Sequence, residues 1–333
     1  LKKATLRAAC GLLLLLLAAA PAFSQTQALK KIHIGVPSIT VGNIVIYVAN
    51  EAKLYQKYGL DPDIKKMDGS AAAAKAMLAG KIDVAPIATP RVLESDLAGA
   101  DLVVLAHTMP SVIHAMMAKQ DIRRPEDLKG RKIGISNFGS LTDFLVRHIL
   151  RQKGLNPERD VTLVQIGGDG ERLAALSRGT IDAAALSYPG YAKAQKLGFP
   201  MLWDSSKEIA YPWIEVVARR STIQRDRERV LDYMKAHLEG IALFKRDAGF
   251  GRRVIKKTMK IDDEGLVSDS YLLFAKTFSI IPYPNVAGMR TSFEYVAQTR
   301  ADIWRHKPEE FIDASFVEEL EKSGFIKKLY ERP

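Results

Sequence analysis

The chain has 333 residues, a formal charge of +11 from 49 basic against 38 acidic side chains, one cysteine and six histidines. Lys2, Lys3 and Arg7 supply three of those charges, and the remaining +8 is scattered (Lys65-Lys66, Arg219-Arg220, Arg252-Arg253, Lys256-Lys257) with no aromatic-interleaved stripe. That dispersal argues against a nucleic-acid partner and leaves a modest bias toward anionic ligands or a membrane-proximal partner.

The first 24 residues read as a secretory signal peptide: a basic start, the apolar run 12–20, and Ala22-Phe23-Ser24 as a small-x-small cleavage signal before Gln25. The run is about half of the ~20 residues a membrane span requires, so the expectation is export to the periplasm rather than anchoring. Cys10 precedes the apolar run instead of following it, which disfavours a lipid anchor. Cleavage after Ser24 leaves no cysteine, hence no disulfide, thiolate nucleophile or cysteine-ligated metal. The leading Leu points to an alternative start codon or an offset. The remaining length, about 300 residues, exceeds what one core usually supports, so two compact lobes are expected.

The next elements form an internal repeat about 100 residues apart. One copy runs from Lys31-Ile32-His33-Ile34-Gly35-Val36 through Tyr58-Gly59-Leu60, a strand over 63–67 and Gly69-Ser70 to Gly80-Lys81-Ile82-Asp83. The other runs from Arg131-Lys132-Ile133-Gly134-Ile135 through Lys153-Gly154-Leu155, a strand over 161–166 and Gly168-Asp169 to Gly179-Thr180-Ile181-Asp182. Each copy predicts strand, helix, strand, helix, strand, an α/β unit with a parallel sheet covered on both faces. Gly59, Gly80, Gly154 and Gly179 fit as C-terminal helix stops.

Between the copies, 102–119 is apolar and broken at Met109-Pro110-Ser111, and 209–219 is a matching return interrupted by Tyr211-Pro212-Trp213. These predict paired hinge crossovers near 105–115 and 209–217. Lobe 1 is then expected over 28–108 and 215–333, and lobe 2 over 109–214. Helical periodicity over 225–245, 252–259, 263–277, 288–304 and 315–330 predicts a helical C-terminal segment packed on lobe 1.

Ligands of open parallel sheets sit beyond the carboxyl ends of the strands. In the loop after the first strand, Thr40, Gly42 and Asn43 are candidate contacts, although helix capping explains Thr40 and Asn43 equally well. Ser70 in one copy and Ser140 and Thr142 in the other open helices, where free N–H groups attract an anion; capping competes here too. Thr89 and Tyr188 follow the third strands. Tyr188, Tyr211 and Trp213 form a candidate aromatic wall, against which core packing is the alternative for Trp213. The segment 167–171 lacks the Lys and Ser/Thr of a phosphate loop and carries two acids. The histidines at 33, 107, 114, 148, 237 and 306 form no short-spaced ligand set, so neither metal nor cofactor is expected.

Across its length after the leader the chain resembles the nitrate/sulfonate/taurine-type (SsuA/THI5-like, NMT1-like) periplasmic binding proteins of ABC importers. The resemblance rests on Glu51-Ala52-Lys53-Leu54-Tyr55, Leu78-Ala79-Gly80-Lys81-Ile82-Asp83, Pro125-Glu126-Asp127-Leu128-Lys129-Gly130, Arg178-Gly179-Thr180-Ile181-Asp182 and the tail Pro308-Glu309-Glu310-Phe311. It implies a type II periplasmic-binding fold, lobes that close on a small solute, and delivery by a monomer to an inner-membrane ABC permease with its ATPase. A secreted α/β enzyme acting on a small acid, with His107 or Asp169 moving protons, and a solute sensor of the same fold are the alternatives.

Overall fold

The computed structural model describes residues 28–331, so the segment read as a signal peptide lies outside the described residues. In chain order the first lobe begins with β1 (Lys30–Val36), α1 (Ile44–Glu51), α2 (Leu54–Lys57), β2 (Leu60–Lys66), α3 (Gly69–Leu78), β3 (Val84–Ala85), α4 (Thr89–Leu97) and β4 (Leu102–Met109). The second holds β5 (His114–Ala118), β6 (Lys132–Ile135), α5 (Leu141–Gln152), β7 (Thr162–Gln165), α6 (Asp169–Ser177), β8 (Ala183–Ser187), α7 (Gly190–Lys196), β9 (Met201–Asp204) and α8 (Ser205–Glu208). The chain returns through β10 (Trp213–Arg219) to α9 (Arg220–Arg225), α10 (Arg227–Arg246), α11 (Ala248–Met259), α12 (Glu264–Thr277), α13 (Val286–Val296), α14 (Ser315–Lys322) and α15 (Phe325–Glu331).

The two sheets have the same plan. Their orders are β2-β1-β3-β10-β4 and β7-β6-β8-β5-β9, so each contains one strand delivered by a crossover and paired antiparallel to both neighbours. The repeat read from the sequence is therefore a repeat of structure. Its Ile-Asp motif has a physical role: Asp83 accepts a hydrogen bond from His33 N and Asp182 accepts one from Lys132 N, each at 2.9 Å. These carboxylates tie the third strand's approach to the first strand and are neutralised by Arg229 at 3.0 Å and Lys119 at 2.7 Å.

Each sheet has its own core. Ile32, Ile34 and Val36 of β1 pack against α1 and α10, whereas Ile133 and Ile135 of β6 pack with Val146, Ile149 and Trp203. The C-terminal helices cover lobe 1, and α10 to α13 each start on an acid or amide that caps the third backbone N–H beyond it: Asp226, Asp247, Asp263 and Asn285. Two helices predicted as continuous are interrupted. The 288–304 stretch ends as an α-helix at Val296, where Arg300 turns to donate to Leu97 O and Asp302. The 315–330 stretch breaks at Gly324, whose φ of +73° ends α14. Strand β9, four residues behind Pro200, is too short to show alternation in the sequence.

Candidate functional site

The carboxyl ends of the parallel strands of both sheets face a cleft of about 500 Å³ between the lobes. Its walls are the loop after β1, the start of α3 and the loop after β3 on one side. On the other are the loop after β6, the start of α5 and residues 167–173, with His114, Trp213, Ile214 and Glu215 contributed by the crossover strands. The lobes touch at the rim. Asn137 Nδ2 donates to Asp68 O at 2.6 Å, and Lys196 pairs with Asp263 at 2.8 Å. Gly69, at φ +84°, leaves room for this contact, since a Cβ there would lie 2.9 Å from Asn137 Nδ2.

On the lobe 1 wall, capping does not account for Thr40 and Asn43. Neither side chain caps the helical turn it precedes. Asn43 Nδ2 donates to Ser38 O at 2.9 Å, while Asn43 Oδ1 and Thr40 Oγ1 are buried with no partner. Buried polar atoms without partners are rare in folded proteins because desolvation goes uncompensated. Gly42 does not line the cleft. It lets the chain pass beside Trp213, whose ring a Cβ would approach to 2.8 Å.

On the lobe 2 wall the loop groups bond one another, and His114 is the exception. Ser136, Ser140 and Thr142 hold their hydroxyl oxygens 2.8–3.0 Å apart in a triangle, and Ser140 caps α5 by accepting from Asp143 N at 3.3 Å. Asp169 accepts from Ser187 N at 3.0 Å and pairs with buried Arg172, which also donates to Gly167 O and, at 2.9 Å, to Ala185 O. Glu171 folds back on Gly168 N at 2.6 Å, so neither acid of this loop is left for a ligand cation. His114 Nδ1 is buried without a partner. Burial pushes its pKa down to about 4, with Asp169 opposing and Arg172 adding to the shift, so the ring is neutral near pH 7.

Of the residues singled out in the sequence, Thr40, Asn43, Ser70, Ser140, Thr142 and Trp213 line the cleft. Ser70 is also engaged, accepting from Ala88 N at 3.1 Å. Trp213 presents its ring edge-on to His114, centroids 4.8 Å apart. Thr89 and Tyr188 are not in the lining. Thr89 is fully buried and bonded to Glu215, and Tyr188 packs against Tyr191. Tyr211 is buried as well, donating to Glu215 Oε1 at 2.6 Å, so the predicted aromatic wall reduces to Trp213. Burial raises the Glu215 pKa.

Missed from the sequence were His114, Ser136 and three lysines, Lys66, Lys193 and Lys260, which line the cleft and form no ion pair among the described residues. Ser136 carried a signal, because it follows β6 as Pro37 follows β1. The candidate proton carriers of an enzyme are occupied. His107 Nδ1 accepts from Asn285 N at 2.9 Å, away from the cleft, and Asp169 is held by Arg172. Among the described residues no cluster of potential metal ligands occurs and no helix is long and apolar enough to cross a membrane.

Comparison with known proteins places these features in context. The model of the family described as NMT1/THI5 like matches residues 42–247, more than half of the chain. A Brucella abortus (strain 2308) protein named for binding is 28% identical over 148 residues, 44% of this chain and 45% of that one. The chain thus spans about half the length of the curated relatives it matches. Among solved structures, a protein of Bordetella bronchiseptica RB50 superposes with a TM-score of 0.79 at 20% identity over 88% of this chain and 98% of that one. The alkanesulfonate-binding protein SsuA of Xanthomonas axonopodis pv. citri, bound to MOPS, gives 0.72 at 17% over 86% and 99%. These likenesses establish the fold as that of two-lobed periplasmic binding proteins.

Proposed function

The chain belongs to the NMT1/THI5-like family, and from that premise we propose that it is the periplasmic solute-binding component of an ABC importer, capturing a small anionic solute between its lobes. The observation that carries the reading is a cleft between two apposed lobes lined by buried polar atoms with no protein partner: Thr40 Oγ1, Asn43 Oδ1 and His114 Nδ1. The anionic character is supported by the unpaired Lys66, Lys193 and Lys260 and by the amino end of α5.

In this reading Thr40, Asn43 and Ser70 hold the solute from lobe 1, and Ser140, Thr142 and His114 from lobe 2. Trp213 packs against it from the crossover. The lobes turn about the paired crossovers, and bridging contacts favour the closed arrangement only when solute is present. A monomer then delivers it to a permease driven by a separate ATPase. No second reading is favoured: His107 and Asp169, the proton carriers the sequence offered for an enzyme, are engaged within the protein.

Native mass spectrometry of protein purified without added ligand tests this. The expected result is a small acid released on denaturation, whose return to stripped protein compacts it in small-angle scattering. Protein recovered bare, with no compaction by any member of a broad panel of anions, would sink the reading.

A further inference from the structure

The two walls of the cleft differ in the hydrogen bonds they have left to make. On lobe 1, Asn43 is almost fully buried, 4% exposed, and its amide orientation is set by the bond from Nδ2 to Ser38 O at 2.9 Å. Flipping the amide would place oxygen against oxygen. The free end is therefore Oδ1, an atom that only accepts. Glu215 adds a carboxyl group to the same cleft, and donors from Tyr211 and Thr89 already converge on its Oε1 at 2.6–3.2 Å. Across the cleft stand groups suited to an acceptor or an anion: half-buried Lys193, the hydroxyl triangle of Ser136, Ser140 and Thr142, and the start of α5, whereas Lys66 and Lys260 on the lobe 1 side are exposed.

A solute that only accepts hydrogen bonds, such as nitrate or an unsubstituted carboxylate or sulfonate, would satisfy lobe 2 and leave Asn43 Oδ1 desolvated and unpaired. It would also bring negative charge toward Glu215. We infer that the solute is bifunctional: an anionic or acceptor end lies on lobe 2, and an amino, amide or hydroxyl group donates to Asn43 Oδ1 on lobe 1. This inference rests on the solute-binding reading above and narrows its substrate class. Sites built to bond a polar group discriminate strongly against analogues lacking it, because the protein group is then stranded.

Two matched probe series decide the matter: propanoate with 3-hydroxypropanoate and 3-aminopropanoate, and propanesulfonate with its 3-hydroxy and 3-amino derivatives, titrated by calorimetry into stripped protein. The donor-bearing members of at least one series should bind about tenfold or more tighter than the unsubstituted parent. In Asn43→Leu that advantage should shrink to within about twofold. Asn43→Ala, which removes the same acceptor without adding bulk, carries the same expectation and stands in for Asn43→Leu if that variant does not fold. Equal affinity of parent and donor-bearing probes, or an advantage unchanged in Asn43→Leu, overturns this inference alone. Failure of all six probes to bind at millimolar concentration, together with bare protein in native mass spectrometry, overturns the solute-binding reading with it. Failure of all six while the protein retains a solute lacking any N–H or O–H donor overturns the inference and leaves that reading standing.

Discussion

Ser70 in lobe 1 and Asp169 in lobe 2 occupy the same place in the two copies of the fold and do the same job with different chemistry. Ser70 Oγ accepts from Ala88 N, and Asp169 Oδ2 accepts from Ser187 N. A neutral hydroxyl needs nothing more. A carboxylate at that depth does, and one turn on, where lobe 1 has buried Ala73, lobe 2 has Arg172. Duplication has thus kept the backbone plan and let the cleft walls diverge: lobe 2 bonds its loop groups to one another and leaves His114 Nδ1 unpaired, while lobe 1 leaves Thr40 Oγ1 and Asn43 Oδ1. A binding wall is recognised by what it leaves unpaired rather than by how polar it is.

The contrast breaks most readily at Arg172. Arg172→Met strands Asp169 and should cost about 3–5 kcal/mol in urea denaturation. The double change Asp169→Ser with Arg172→Met, which puts a hydroxyl and an apolar side chain where lobe 1 has Ser70 and Ala73, should return to within about 1–2 kcal/mol of the parent. A single change that costs no more than Ser70→Ala would show that the pair is dispensable.

Lobe 1 carries the converse vulnerability in its helical layer. His237 is buried with neither ring nitrogen bonded, and burial pushes its pKa down to about 4. The unfolded chain protonates near pH 6.5 while the folded one resists. Stability is therefore complete above pH 6.5, declines as pH falls toward about 4, and levels off below. The loss attributable to His237 is on the order of 3 kcal/mol. His237→Phe, which keeps the ring beside Tyr233, should make the acid limb shallower in thermal melts from pH 7 to 4, with buried His107 and His114 supplying what remains; a profile parallel to the parent would refute the assignment.

The smallest effect separates the two walls directly. Ser140→Ala removes a helix cap and should cost about 1 kcal/mol. Thr40→Val in lobe 1 removes a buried hydroxyl with no partner and should leave the ligand-free protein at least as stable as the parent, by up to about 1 kcal/mol more. Equal losses in calorimetric melts would mean that Thr40 is structurally engaged after all.

Much of the architecture was legible in the sequence because its signals are local. The repeated Gly-x-Ile-Asp segments, the short β-rich runs of β1 and β6, and the glycine helix stops at 59, 80, 154 and 179 act within a few residues of where they appear. The site was legible only as a set of loops. Thr40, Asn43, Ser140 and Thr89 are the same kind of residue in the same kind of position, yet their fates differ. Thr89 meets Glu215 from 126 residues away, Ser140 caps its own helix, and Thr40 and Asn43 leave atoms unpaired.

By itself, then, the sequence determined two α/β copies, the crossovers that join them and the helical cover on lobe 1, since hydrophobic period and capping chemistry are read over single turns and strands. Only the tertiary structure decided which hydroxyls and amides face the cleft unpartnered. A hydrogen-bond partner is a matter of distance in space, and the two walls that define the cleft come from segments about 100 residues apart.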